Sequence, residues 1–179
     1  MKDTGLLAMM LPEAYGGIGL DTLDRAVIYQ ELGRALAPGP HFVSSVMGAL
    51  AIEKGGSKEQ KDALLPAIGR GELIVTPAWL EPDNGFGPQG VQLRAETTAD
   101  GYRLDGVKRH VFYARAAQKL IVLARTGEAA DAIDLLLVDT DAPGVTLEQQ
   151  LSMASDTQYK VRFDGVVVPA ANRLGAPQS

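Results

Sequence analysis

Up to Gly71 the apolar residues recur at helical spacing, and from Glu72 onward they alternate with polar residues or cluster in short runs. Asp21 stands as N-cap before Leu23, Ala26, Val27, Leu32, Ala35 and Leu36, a stripe that predicts an amphipathic helix ending at Pro38-Gly39-Pro40. Residues 41–54 predict a second helix, with Phe42, Val46, Met47, Leu50 and Ala51 on one face and Gly55-Gly56 as its stop. Ser57-Lys58-Glu59-Gln60 is a capping box for a third, carrying Leu64, Leu65 and Ile68. The runs ELIVTPAWL, VQLRAETT, YRLDGVKRHVF, KLIVLART, AIDLLLVDT, GVTLEQ and YKVRFDGVVVP follow, separated by Gly, Pro and Asp turns. The expected fold class is α+β: an N-terminal helical domain over residues 1–71, then an antiparallel β-sandwich or barrel over residues 72–179.

Composition narrows the partners. A net charge of -5 without a basic run argues against nucleic acid or an anionic membrane as the main surface bound. No apolar stretch is long enough to span a bilayer. The chain has no cysteine, which removes disulfides, thiolate nucleophiles and Cys-ligated zinc and points to a reducing, cytoplasmic setting.

The stretch NGFGPQG, residues 84–90, spells G-x-G-x-x-G. A dinucleotide cradle needs a helix to leave the glycines, so that the pyrophosphate rests on its N-terminus. Here Val91, Leu93 and Ala95 alternate with Gln92, Arg94 and Glu96 instead, and Ala99-Asp100-Gly101 supplies a hairpin turn. Pro88 also removes a backbone donor. The Rossmann reading fails.

Other catalytic constellations are missing. The two histidines, His41 and His110, lack ligand spacing for a metal, and Ser44, Ser45 and Ser152 lack a nucleophile elbow. Asp21 and Asp24 fit helix capping, and Arg125 reads as a solvated strand end or, less simply, a phosphate clamp. Taken alone, Trp79, Val111 and Phe112 read as β-core residues, His110 as a satisfied histidine, and Glu81-Pro82 as a strand end.

Seven segments in order resemble the acyl-CoA dehydrogenase family: LPEAYGGIGLD, ELGRALAPGP, GSKEQKDALLPAIGRGEL, AWLEPDNGFG, LDGVKRHVFYARAAQKLIVLAR, VDTDAPGV and RFDGVVVP. The resemblance covers nearly the whole chain as the family's N-terminal helical part and middle β domain, with the C-terminal helical domain that carries the catalytic base absent. It implies FAD against the β domain, an acyl-CoA thioester as substrate, electron-transfer flavoprotein as electron acceptor, and a homo- or hetero-oligomer of such subunits. No catalytic residue is assigned within the chain.

The family's first flavin loop, T-E-P-x-A-G-S-D, aligns with Leu80-Glu81-Pro82-Asp83-Asn84-Gly85-Phe86-Gly87, preceded by Trp79. Glu81, Pro82 and Gly85 keep the pattern, whereas Leu80 and Phe86 replace its hydroxyl residues. The second segment, W-I-T-N or W-I-S-N, aligns with His110-Val111-Phe112-Tyr113, again without the hydroxyl. The resemblance thus implies Trp79, Leu80, Glu81, Gly85, Phe86, His110, Val111 and Phe112 as cofactor neighbours. Each lost neutral hydrogen bond weakens binding by about 0.5 to 1.5 kcal/mol. The alternative implied is a non-catalytic partner subunit of a heteromeric enzyme, its flavin site decayed.

Overall fold

The computed structural model describes residues 4–82, 85–154 and 156–176. Two compact units divide the chain, Met1–Val75 and Thr76–Ser179.

In the first unit, α1 spans Thr22–Arg34, α2 Ala49–Gly55 and α3 Lys58–Gly69. The starts of α1 and α3 follow from side chains that satisfy orphan amides. Asp21 accepts from Leu23 N at 2.7 Å and Asp24 N at 3.1 Å, while Asp24 accepts back from Asp21 N. Ser57 and Gln60 exchange the same pair of bonds ahead of α3. Helix α1 ends earlier than its stripe suggests, at Arg34, because Leu36 turns into the left-handed region at φ 47°. None of its residues is buried, and Leu23 and Val27 of the apolar stripe are exposed.

The second predicted helix is where the structure departs most. Phe42–Gly48 is π-helical, and α2 takes over at Ala49. Bonding such as Ala49 N to Ser44 O, five residues back, widens the turn and rotates the face expected from an α-helical period. Val43, Ser44, Ser45, Val46, Ala49 and Ile52 are therefore buried, whereas Phe42 and Leu50 of the expected face are about half exposed. Ser44 Oγ accepts from Val75 N at 3.1 Å, and a Cβ on Gly48 would stand only 3.2 Å from Val75 O. The wide turn thus lets the segment lie close against the end of its own unit.

His41 closes this unit. Its Nε2 lies 2.8 Å from the Leu6 carbonyl, which can only accept, so Nε2 carries the proton and Nδ1 accepts from the Tyr29 hydroxyl at 2.6 Å. A structural role accounts for this histidine.

The second unit is built on an eight-stranded sheet, with β1 Val75–Ala78, β2 Arg94–Thr98, β3 Gly101–Phe112, β4 Lys119–Arg125, β5 Ile133–Asp139, β6 Val145–Gln150, β7 Gln158–Pro169 and β8 Arg173–Leu174. The order is β6-β7-β3-β2-β4-β5-β8, with β1 on β4. The pairs β2–β3, β3–β7, β4–β5, β5–β8 and β6–β7 are antiparallel, and a parallel bridge, Arg94 to Arg125, joins β2 to β4. Alternation selects one apolar face: Leu120, Val122 and Ala124 of β4, Leu136 and Val138 of β5, and Tyr159, Val161 and Phe163 of β7 meet in a single core. No helix among the described residues is long and apolar enough to cross a membrane.

Strand β3 carries two register shifts, Leu104 to Gly106 and Lys108 to Val111. The second sets Arg109 and His110 opposite the single residue Lys160, one residue in excess, with His110 at φ 52°, a region histidine tolerates better than most side chains. An inserted residue reverses which side chains point inward. Lys108 faces the interior before the bulge and Val111 faces it after.

Burial pushes the Tyr29 phenol up to about 12, from an ordinary 10.0. A raised folded value means that the stabilisation is complete below pH 10 and is lost as pH climbs toward 12. Denaturant melts at pH 9 and pH 11.5 should show this loss in the wild type, and Tyr29→Phe should flatten it.

Candidate functional site

The two sequence-marked segments lie side by side in the β unit. Just beyond β1, Arg109 N donates to Leu80 O at 2.9 Å. Thr76 reaches across to the same strand, its hydroxyl donating to Phe112 O at 2.8 Å. One backbone bond and one side-chain hydroxyl therefore tie residues 76 and 80 to the C-terminal end of β3.

Beneath this contact is a buried ion pair. Lys108 Nζ, with no exposed side-chain surface, donates to Glu81 Oε1 at 2.7 Å and approaches Trp79 O at 3.4 Å. The Glu81 carboxylate, itself almost wholly enclosed, also receives Gln92 N and Leu93 N, each within 3.1 Å of both oxygens. Removal from water pushes the Lys108 ammonium below its usual 10.5, opposed by the hydrogen bond and charge of Glu81.

Between Glu81 and Gln92 runs the glycine-rich loop, of which Asp83 and Asn84 lie outside the described residues. Gly87 takes φ 88°, Pro88–Gly90 forms a single 3-10 turn, and the chain returns to extended backbone. A Cβ on Gly90 would meet Gly85 O at 1.8 Å, so the glycine spacing serves a loop that crosses itself closely. Arg125 ties this loop down, contrary to both sequence readings. Its guanidinium donates to Val91 O at 3.0 Å and Pro88 O at 2.8 Å in the loop, and to Ala129 O at 2.8 Å in the connection between β4 and β5.

The loop walls a pocket of about 310 Å³ whose lining includes Trp79, Leu80, Gly85, Phe86, Pro88, Leu123 and Ile133. Such a volume lies at the lower end for small-molecule sites. Phe86 is 90% exposed and stands at the rim, so it does not fill the cavity.

The remaining candidates sit on the β3 bulge. Val111 points into the sheet core, leaving only its backbone for a ligand. Phe112 is partly exposed, and its carbonyl is the one taken by Thr76. The His110 amide donates to Gln150 Oε1 at 2.9 Å. Gln158 Nε2 donates to Asp156, which turns Gln158 Oε1 toward His110 Nδ1 at 2.8 Å and places the proton of the neutral ring on Nδ1. Arg109 differs from its neighbours: its side chain forms no hydrogen bond or ion pair among the described residues, and its Nε is buried without a partner. Among the described residues no cluster of His, Cys, Asp or Glu has the makings of a metal site.

Sequence reasoning missed Lys108 and the two glutamines, and noted Arg125 without its role as a loop tie. Alternation from Tyr102 and Leu104 already puts Lys108 on the inward side, and an inward lysine demands a buried acid. That signal was available. The glutamines are brought in from β6 and β7 by strand pairing, which no local pattern announces.

This arrangement, a helical unit followed by an antiparallel β unit with paired loop segments, is matched by a family model for each part. The acyl-CoA dehydrogenase N-terminal domain matches residues 1–72, and the acyl-CoA dehydrogenase middle domain matches residues 77–166. The chain belongs to the acyl-CoA dehydrogenase family. It is 32% identical to the probable acyl-CoA dehydrogenase YngJ of Bacillus subtilis (strain 168), over 99% of this chain and 49% of that protein. The crystal structure of the ChsE4-ChsE5 complex from Mycobacterium tuberculosis superposes with a TM-score of 0.88 at 29% identity, covering 100% of this chain and 48% of the other. A glutaryl-CoA dehydrogenase from Mycobacterium smegmatis in complex with FADH2 superposes at 0.85 and 29% identity, covering 98% and 46%. The chain spans about half the length of the curated relatives it matches.

Breaking a buried pair strands the surviving charge, so Lys108→Met should cost about 3 to 5 kcal/mol in denaturant unfolding. Because the folded lysine pKa is depressed, the unfolded chain holds the proton more tightly, and stability rises as pH is raised toward 10.5. The wild-type minus Lys108→Met difference in unfolding free energy should grow over that alkaline interval.

Proposed function

We propose that this chain forms the N-terminal helical part, residues 1–71, and middle β domain, residues 72–179, of an enzyme that dehydrogenates an acyl-CoA thioester between its α and β carbons. The observation that carries the reading is that Leu80 and Glu81, in the stretch that resembles the family's first flavin loop, are bound by Arg109 N and Lys108, immediately before residues 110–113, the stretch that resembles its second. FAD is the proposed cofactor. The residues fit it in part: Trp79, Leu80 and Phe86 give an apolar wall, the cavity is open, and Arg109 offers a guanidinium with no partner among the described residues. A ring system would rest on that wall and an anionic group would answer the arginine. When bound, FAD supplies the acceptor for the β-hydride of the thioester.

The chain's own residues in this reading position and enclose. Trp79, Leu80, Gly85 and Phe86 would contact the cofactor directly, His110 and Phe112 would flank it, Val111 would contribute backbone, and Glu81 holds the loop. The base that takes the α-proton is not assigned to any residue of this chain. Electron-transfer flavoprotein is the proposed recipient of the two electrons, the enzyme an oligomer, and the setting cytoplasmic.

A specific observation favours a second reading, a partner subunit that completes a neighbour's site. Leu80, Phe86 and Phe112 put carbon where the family's hydroxyls stand, and a similar solved structure is the two-named ChsE4-ChsE5 complex. The visible spectrum of the protein purified from its host, followed by anaerobic titration with acyl-CoA thioesters, separates the two. Bound flavin bleached by a thioester supports the dehydrogenase, and a colourless protein that stays so with added FAD supports the partner. Leu80→Thr with Phe112→Thr should raise FAD affinity about tenfold, as two restored hydrogen bonds would give. Unchanged or lower affinity would remove the decayed-site explanation.

A further inference from the structure

We propose that Glu81 and Lys108 are positioning residues that preset the pocket-lining loop, so that a ligand meets a finished wall instead of ordering one. The inference rests on the cofactor reading for what the wall receives, and on geometry for the wall itself. Glu81 lies just before the loop and grips the amides of Gln92 and Leu93 just after it, closing the loop at its base through one carboxylate. Lys108 pins that closure to β3 from a site with no exposed side-chain surface. Arg125 holds the far side at Pro88 and Val91. The crossing of Gly85 and Gly90, which leaves no room for a Cβ on Gly90, requires the two ends to be this close.

A carboxylate that merely stabilised the sheet would need no second set of partners across a loop. Here both oxygens serve amides on the loop's exit, and only one also serves the lysine. Neither residue touches the reacting centre in this scheme. Both act on a ligand through Trp79, Leu80 and Phe86.

The deciding comparison is between wild type, Glu81→Gln and the double variant E81L/K108M, in the full chain. Gln keeps the shape but turns one acceptor into a donor facing the loop amides. The double variant replaces the pair by apolar side chains of similar length, an exchange that proteins often tolerate without loss of stability. Amide hydrogen exchange is read at residues 85–93 and, as an internal control, at Leu120–Ala124 of β4, with FAD affinity measured in parallel by fluorescence. Both variants should speed exchange across residues 85–93 by about tenfold or more while β4 keeps its protection. In the double variant FAD affinity should fall by about tenfold at an unchanged melting temperature, a split that a purely stabilising pair does not produce.

Wild-type protection at Gln92 and Leu93 in E81L/K108M would overturn the proposal. So would equal loosening of β4, or a double variant with no cooperative unfolding, since the pair would then support the whole unit. A wild type that binds no FAD but shows the local exchange pattern sinks the cofactor reading and leaves the preset loop standing. FAD binding with no local pattern does the reverse.

Discussion

A lysine ammonium removed from water must be answered by a carboxylate, and the β unit is arranged around one such answer. Lys108 comes from the middle of a strand, and Glu81 from a segment 27 residues earlier that has already left the sheet. Bringing them together fixes where that segment runs. Once Glu81 is placed, its remaining lone pairs take the amides of Gln92 and Leu93, and the glycine-rich loop between has its two ends set. The self-crossing at Gly85 and Gly90, the Arg125 ties and the open apolar pocket are consequences of that placement.

Much of this was legible from the chain alone, for reasons that can be stated. The capping residues Asp21 and Ser57 marked helix starts because their side chains bond locally. The strand runs were visible because one buried face imposes a period of two, and Ala99-Asp100-Gly101 because a tight turn needs particular backbone angles. What escaped depended on geometry that period cannot encode. The π turn over Phe42–Gly48 rotated a helix face whose residues looked ordinary, and the bulge at Lys108 to Val111 reversed the strand's sidedness. The cofactor segments were found through family resemblance, yet their mutual contact runs through backbone atoms and a lysine that the resemblance did not single out.

The chemistry of the pocket wall separates the two functional readings more sharply than the fold does. Both readings require the same sheet, the same loop and the same family. They differ in whether a surface of carbon at Leu80, Phe86 and Phe112 still receives a ring system or has become a face for another subunit. The exposed Phe86, held at the rim by a tied loop, suits either occupant without rearrangement. The unpaired Arg109 side chain favours an anionic neighbour in both cases, because its charge has no partner among the described residues.

The bulge in β3 also limits how this segment can be exchanged with that of a relative. His110 keeps its left-handed backbone while Gln150 holds its amide and Gln158 holds its ring, and those glutamines stand on two other strands. A graft of the four residues 110–113 alone would import a side chain without its supports. The unit to be moved is discontinuous: His110 and Val111 on β3, Gln150 on β6, Gln158 on β7, and Asp156 behind Gln158 just before β7 begins. Sequence changes at position 110 are therefore tied to changes some 40 and 48 positions away, a coupling that a chimera-maker would have to carry across intact.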